Sequence, residues 1–188
     1  MTFPATEDRP RYVVVSGVTG SGKSTVARLL AERLGLPFAD GDDFHSPANI
    51  AKMSAGTPLD DTDRRPWLES IGRWLHARDT EGTGAVVACS ALRRHHRDTL
   101  RAACPDALFL HLTADHDVLA SRLGGRSGHF MPTSLLDSQL AALEPLEPDE
   151  PGTALDATPD PATIVGRAVG LLRRDRGAPG AGRHPDDG

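Results

Sequence analysis

The segment Gly17-Val18-Thr19-Gly20-Ser21-Gly22-Lys23-Ser24 satisfies G-x-x-x-x-G-K-[ST] at every fixed position, and its flanks restrict the fold further. Ahead of it runs the apolar stretch Tyr12-Val13-Val14-Val15. Behind it Val26, Leu29, Leu30 and Leu34 recur at helical spacing. Strand, Gly-rich turn and helix form the setting in which such a loop binds phosphate. Glycines let successive backbone N–H groups and the helix N-terminus face the anion, a lysine reaches its outer oxygens, and a hydroxyl ligates Mg²⁺. The ATP-binding residues expected here are Gly17, Val18, Thr19, Gly20, Ser21, Gly22, Lys23, Ser24 and Thr25, with Lys23 on the β and γ oxygens and Ser24 on the metal. A plain Gly-rich β–α turn would need none of the fixed positions.

The rest of the chain repeats the rhythm. Ala85-Val86-Val87-Ala88, Ala107-Leu108-Phe109-Leu110 and the weaker Thr153-Ala154-Leu155 are apolar on both faces, as buried parallel strands are. Pro37-Phe38-Ala39-Asp40 reads as a short second strand, and Leu68, Ile71, Trp74 and Leu75 mark a helix. The expectation is α/β, a three-layer P-loop sandwich of the nucleoside-monophosphate-kinase type, with a mostly parallel sheet of about five strands. Residues 11–173 form one domain, after an N-terminal extension over 1–10. The Gly-rich, cationic stretch Gly124 to Pro132 reads as part of a mobile lid spanning about 122–134. Residues 174–188 carry no apolar side chain larger than Ala or Pro and read as a disordered tail.

Composition narrows the partners. With 21 cationic and 26 acidic residues the formal charge is −5, and no block of consecutive basic residues marks a nucleic-acid track. No apolar run approaches a membrane span, and the acidic, Pro-containing N-terminus has no signal-peptide core, so a cytoplasmic location is expected. Two cysteines, Cys89 and Cys104, support neither a disulfide framework nor a thiolate metal site. All but two of the 21 cationic side chains are arginine, the exceptions being Lys23 and Lys52. An Arg-rich chain that keeps a lysine at a phosphate loop points to a need for a compact, mobile ammonium there.

The kind of chemistry follows from what stands after the strands. Switch GTPases and motor ATPases hold Mg²⁺ partly through a strand-end acid, yet the strand Ala85–Ala88 runs into Cys89-Ser90. Asn49 is the only asparagine, so no Asn-Lys-x-Asp guanine-reading motif exists. The acids nearest a γ-phosphate would be Asp40 and Asp42, at the carboxyl end of the second strand, where open α/β sheets bind ligands. That arrangement suits activation of a small acceptor hydroxyl, the work of a small-molecule kinase.

On the acceptor side, two roles are open to Asp42: orienting or deprotonating the attacking hydroxyl, or holding Mg²⁺. Gly41 permits close backbone approach, and His45 either donates to a substrate hydroxyl or carboxylate or caps a helix. Arg64 either clamps a carboxylate or pairs with Asp61 or Asp63, and Trp67 belongs to the core. Arg93, Arg94, His95, His96 and Arg97 open a helix on the ligand-binding edge. Arg122 and Arg126 flank the lid glycines, where an arginine would steady transferring phosphoryl charge. His129-Phe130-Met131 either latches the lid or packs.

These motifs together resemble the gluconokinases, a group of P-loop small-molecule kinases, from about Val13 to Val165. The resemblance rests on GVTGSGKST at 17–25, DGDDFH at 40–45, NIAKM at 49–53, GTPLDDTDR at 56–64, PWL at 66–68, CSAL at 89–92, RSGHF at 126–130, and Ser138-Gln139 with Leu143-Glu144-Pro145. It implies ATP-dependent phosphorylation of D-gluconate at the 6-hydroxyl, with Mg²⁺, by a homodimer. It also implies catalytic roles for Lys23, Asp42 and Arg126, ATP contacts from Arg122, and an acceptor pocket of Asp42, His45, Lys52, Arg64, Arg93, Arg97, His129 and Gln139. Arg93 and His96 stand where many relatives have Lys and Tyr, and Gly124-Gly125 stand where relatives often carry bulkier residues. The competing readings are a kinase for another sugar acid, shikimate or a nucleoside monophosphate, and a nucleotide-binding regulator without phosphotransfer.

Overall fold

The first strand, β1 (Tyr12–Ser16), is the centre of the molecule, and all five of its residues are buried. The computed structural model describes residues 11–124 and 133–174. After β1 come α1 (Lys23–Leu34), β2 (Phe38–Asp40), a 3-10 turn (Gly41–Phe44), α2 (Pro47–Ser54) and α3 (Asp61–Glu81). They are followed by β3 (Ala85–Ala88), α4 (Arg94–Ala103), β4 (Ala107–Thr113), α5 (His116–Gly124), α6 (Thr133–Ala142), β5 (Gly152–Asp156) and α7 (Pro161–Arg174). The strands form one sheet in the order β2-β3-β1-β4-β5. Every pairing is parallel, with Val13 opposite Val86 on one side and Leu108 on the other. The α/β expectation therefore holds, and the five strands of the described residues lie where the sequence places them, β4 reaching three residues past Leu110.

Strand alternation sorts β1 between two cores. Val13 and Val15 face α1 and α7 with Val26, Leu30 and Ile164, while Tyr12 and Val14 face the opposite layer with Trp67, Ile71 and Leu100. Leu29, part of the helical pattern in α1, is 36% exposed; the buried stripe runs through Val26, Ala27, Leu30 and Ala31 instead. A third, smaller cluster joins Val18, Leu92, Leu119, Leu123 and Leu136, and so ties the phosphate loop to α5 and α6. Among the described residues no helix is long and apolar enough to cross a membrane. Of the expected lid, residues 125–132 lie outside the described residues, as do the N-terminal extension and positions 175–188. The expected tail boundary falls on the last residue of α7.

Candidate active site

The phosphate loop has the backbone its glycines were read to require. Gly17, Gly20 and Gly22 take φ of 147°, 79° and 86°, a region that side-chain-bearing residues rarely adopt. A Cβ at Gly17 would stand 2.8 Å from the Leu112 carbonyl oxygen, so the first glycine is also needed for space. No side chain caps α1, whose N-cap is Gly22 and whose first residue is Lys23, so its first N–H groups stay available to an anion. The Ser21 hydroxyl is buried in the loop without a hydrogen-bond partner among the described residues.

Beside the loop, the end of β2 turns sharply. Asp40 accepts the Asp42 backbone N–H at 3.1 Å, which starts the 3-10 turn and sets Asp42 at the surface. Gly41 presses against β3: a Cβ there would lie 2.5 Å from the Ala88 carbonyl oxygen. Its own carbonyl accepts the Trp67 indole N–H at 2.6 Å, and the Trp67 ring stacks on His45 with centroids 4.4 Å apart. Trp67 is thus core, as expected, and it also seats His45. Burial pushes the His45 imidazole down, opposed by the charge of Asp42 and assisted by that of Arg64. Cys89, at the end of β3, is pushed up to about 12 by burial, and feels the charges of Lys23, Asp42 and Arg64. The three groups come from α1, the post-β2 turn and α3, and they gather at the carboxyl ends of the central strands.

A cavity of about 290 Å³ opens next to them, lined among others by Asp61, Arg64, Arg93, His96 and Ser138. Arg64 donates from Nε to the Leu59 carbonyl at 3.3 Å and forms no ion pair among the described residues. Arg93 donates to Asp61 at 2.9 Å. The Arg93 backbone N–H donates to His96 Nδ1 at 3.3 Å, which puts the imidazole proton on Nε2, where it is donated to Asp61 at 3.2 Å. Burial lowers the His96 pKa to about 4, so the ring is neutral near pH 7. Asp61, His95 and His96 stand close enough to hold a metal, but the His96 proton and the Arg93 cation make them a hydrogen-bonded hub instead. From the sequence Asp61 stands only as a partner for Arg64; its place in the acidic start of α3 is the signal for a wider role.

Several expected acceptor residues have other partners. Arg97 is wholly buried, and its five N–H groups are used by Glu150, twice, and by the carbonyls of Leu92, Glu144 and Pro145. It braces α4 against the segment before β5 and does not reach the cavity, which corrects the substrate-binding expectation. Lys52 is ion-paired with Asp63 at 2.7 Å, and Asn49 donates to the Asp63 carbonyl at 3.0 Å, so the NIAKM stretch docks α2 on α3. Gln139, beside the cavity-lining Ser138, accepts the Thr19 N–H of the phosphate loop at 2.7 Å. Arg122 donates to the carbonyls of Ala157 and Thr158, just past β5. Arg126 and His129 lie outside the described residues.

A family model for shikimate kinases matches residues 19–142, from the phosphate loop to the end of α6. The gluconokinase of Gluconobacter oxydans (strain 621H) is 48% identical over 157 residues, covering 84% of this chain and 88% of the relative. A crystal structure of a gluconokinase from Sinorhizobium meliloti 1021 superposes with a TM-score of 0.81 at 46% identity, covering 90% of this chain and 95% of that one. A sugar kinase from Janibacter sp. HTCC2649 superposes with a TM-score of 0.84 at 51% identity, covering 87% and 95%. The chain belongs to the gluconokinase family, within the shikimate-kinase type of P-loop kinases.

Proposed function

We propose that the protein transfers the γ-phosphoryl group of ATP to the 6-hydroxyl of D-gluconate. The observation that carries the reading is Arg64, a guanidinium that forms no ion pair among the described residues, lines the cavity, and acts on Cys89 together with Lys23 and Asp42. Such a group suits a carboxylate, which it can clamp through two parallel hydrogen bonds.

ATP lies with its phosphates on the loop amides and the α1 N-terminus, and Lys23 neutralises the β and γ oxygens. Ser24 and Asp42 offer a hydroxyl and a carboxylate, oxygen donors that fit Mg²⁺, a cation that binds few protein ligands and keeps its waters. Bound there, Mg²⁺ would neutralise phosphate charge and hold the phosphates in line. Gluconate places its carboxylate on Arg64, with Arg93 beside it, and extends its far end toward Asp42. Asp42 orients the 6-hydroxyl and receives its proton as the bond from that oxygen to the γ-phosphorus forms and the bond from phosphorus to the bridging oxygen breaks, releasing ADP. His45, held on Trp67, donates to a hydroxyl along the sugar acid. Arg122 and Arg126 serve the nucleotide side, Arg126 stabilising charge on the transferring group. His129 belongs to the acceptor side. A cytoplasmic homodimer completes this reading, which the family resemblance supports.

Shikimate is the second reading, favoured by the family model over residues 19–142. It too carries a carboxylate and hydroxyls, so Arg64 alone does not separate the two. Incubation with Mg·ATP and D-gluconate, followed by 6-phosphogluconate dehydrogenase, tests the assignment: NADPH formation proportional to ADP supports it, and ADP without NADPH refutes it.

A further inference from the structure

One helix touches both halves of the site. α6 lines the acceptor cavity with Ser138, Ala141 and Ala142, while Gln139 sends its side-chain carbonyl to the Thr19 N–H of the phosphate loop. Leu136, one turn earlier, packs in the apolar cluster that holds Val18, the residue before Thr19. Two consecutive loop residues therefore rest on α6, one by packing and one by a 2.7 Å hydrogen bond spanning 120 residues of sequence.

The location of that bond gives it a use. Thr19 sits between Gly17 and Gly20, whose left-handed backbone gives the loop more freedom than any other residue type would. A loop that binds phosphate by aiming its amides loses affinity if those amides rotate, so the freedom must be removed. Packing of Val18 limits translation of the loop. A directional bond at Thr19 limits its roll.

We propose that Gln139 is a positioning residue: it holds the phosphate loop in its anion-binding form and, through α6, lets an acceptor in the cavity strengthen nucleotide binding. The second half rests on the acceptor reading above. Binding couplings of this kind are reciprocal, so nucleotide would tighten the acceptor by the same factor.

The test uses the full chain and two variants. Gln139→Met keeps the length and removes the acceptor oxygen; Gln139→Glu keeps an oxygen in place. Amide exchange at Thr19 is followed by NMR, and Mg·ADP affinity by calorimetry with and without D-gluconate. In Gln139→Met the Thr19 amide should exchange about tenfold faster while β1 amides and the melting temperature stay as in the parent. Its affinity for Mg·ADP alone should fall about fivefold, and the tightening by gluconate should disappear. Gln139→Glu should restore slow exchange at Thr19. Unchanged exchange and unchanged Mg·ADP affinity in Gln139→Met would overturn the positioning role, and an undiminished gluconate effect would overturn the coupling. If the parent makes no product from gluconate, the acceptor reading falls, and the exchange and Mg·ADP results still decide the role of Gln139.

Discussion

Arg64 and Arg93 line the same cavity, but among the described residues Arg93 is ion-paired, donating to Asp61 at 2.9 Å, whereas Arg64 donates to the Leu59 carbonyl and forms no ion pair. An anionic acceptor entering the cavity gains a full guanidinium from Arg64 and must compete with a carboxylate for Arg93. Arg64→Met is therefore expected to raise KM for gluconate by about 100-fold, the loss of a charge-assisted pair, with KM for ATP nearly unchanged. Arg64→Lys should recover only part of this, because an ammonium lacks the planar fork. A KM for gluconate that stays put in Arg64→Met would show that the carboxylate binds elsewhere.

Asp42 lies at the surface on the turn that Asp40 caps, next to the charges of Lys23 and Arg64 around Cys89. Asp42→Asn should lower kcat by about 100-fold or more, as loss of a general base does. Raising Mg²⁺ should not restore the rate. Recovery at high Mg²⁺ would assign Asp42 to the metal alone.

The Arg97–Glu150 ion pair is 2.7 Å long, and both side chains are fully buried. Burial acts to raise the Glu150 carboxyl, but hydrogen bonds from Arg97 and the Glu147 N–H outweigh it and hold Glu150 below the usual range. Arg97→Met leaves a buried carboxylate without its cation and should cost about 3–5 kcal/mol in urea unfolding. KM for gluconate in the folded fraction should match the parent. A stable variant with a raised KM would return Arg97 to the acceptor site.

Two buried imidazoles set the acid limit. Burial lowers both His96 and His111 from 6.5 to about 4, with the charge of Arg97 adding to the effect on His111. The unfolded chain thus binds more protons than the folded one between those values, so stability falls as pH drops through this window. From pH 7 to pH 5 each histidine should account for about 2 kcal/mol of the loss. Urea midpoints that stay level over that range would contradict both assignments.

The fold was readable because its strands are buried on both faces and the phosphate loop announces the strand–turn–helix that starts it. The positions of Lys23 at the opening of α1 and Asp42 past the end of β2 were legible, since each follows a recognisable turn or strand end, while Arg64 keeps two readings in the sequence, a carboxylate clamp or a pair with Asp61 or Asp63. The partners of Arg97 and Lys52 were not legible. A basic residue on a helix looks the same in sequence whether it faces a cavity or a carboxylate 53 residues away, as Arg97 faces Glu150. The bond from Gln139 to the phosphate loop is hidden in the sequence for a related reason. Adjacent residues of α6 point to different halves of the site, and nothing local distinguishes Ser138, which lines the cavity, from Gln139, which holds the loop.

ADP release with Mg·ATP, measured against D-gluconate, other sugar acids, shikimate and nucleoside monophosphates at matched concentrations, decides whether gluconate is the acceptor. The kcat/KM for gluconate should stand at least about 100-fold above that for shikimate, the discrimination expected when buried polar groups are built for one acceptor. Preferred turnover of shikimate or a nucleotide, or no turnover with gluconate, would rule gluconate out as the acceptor.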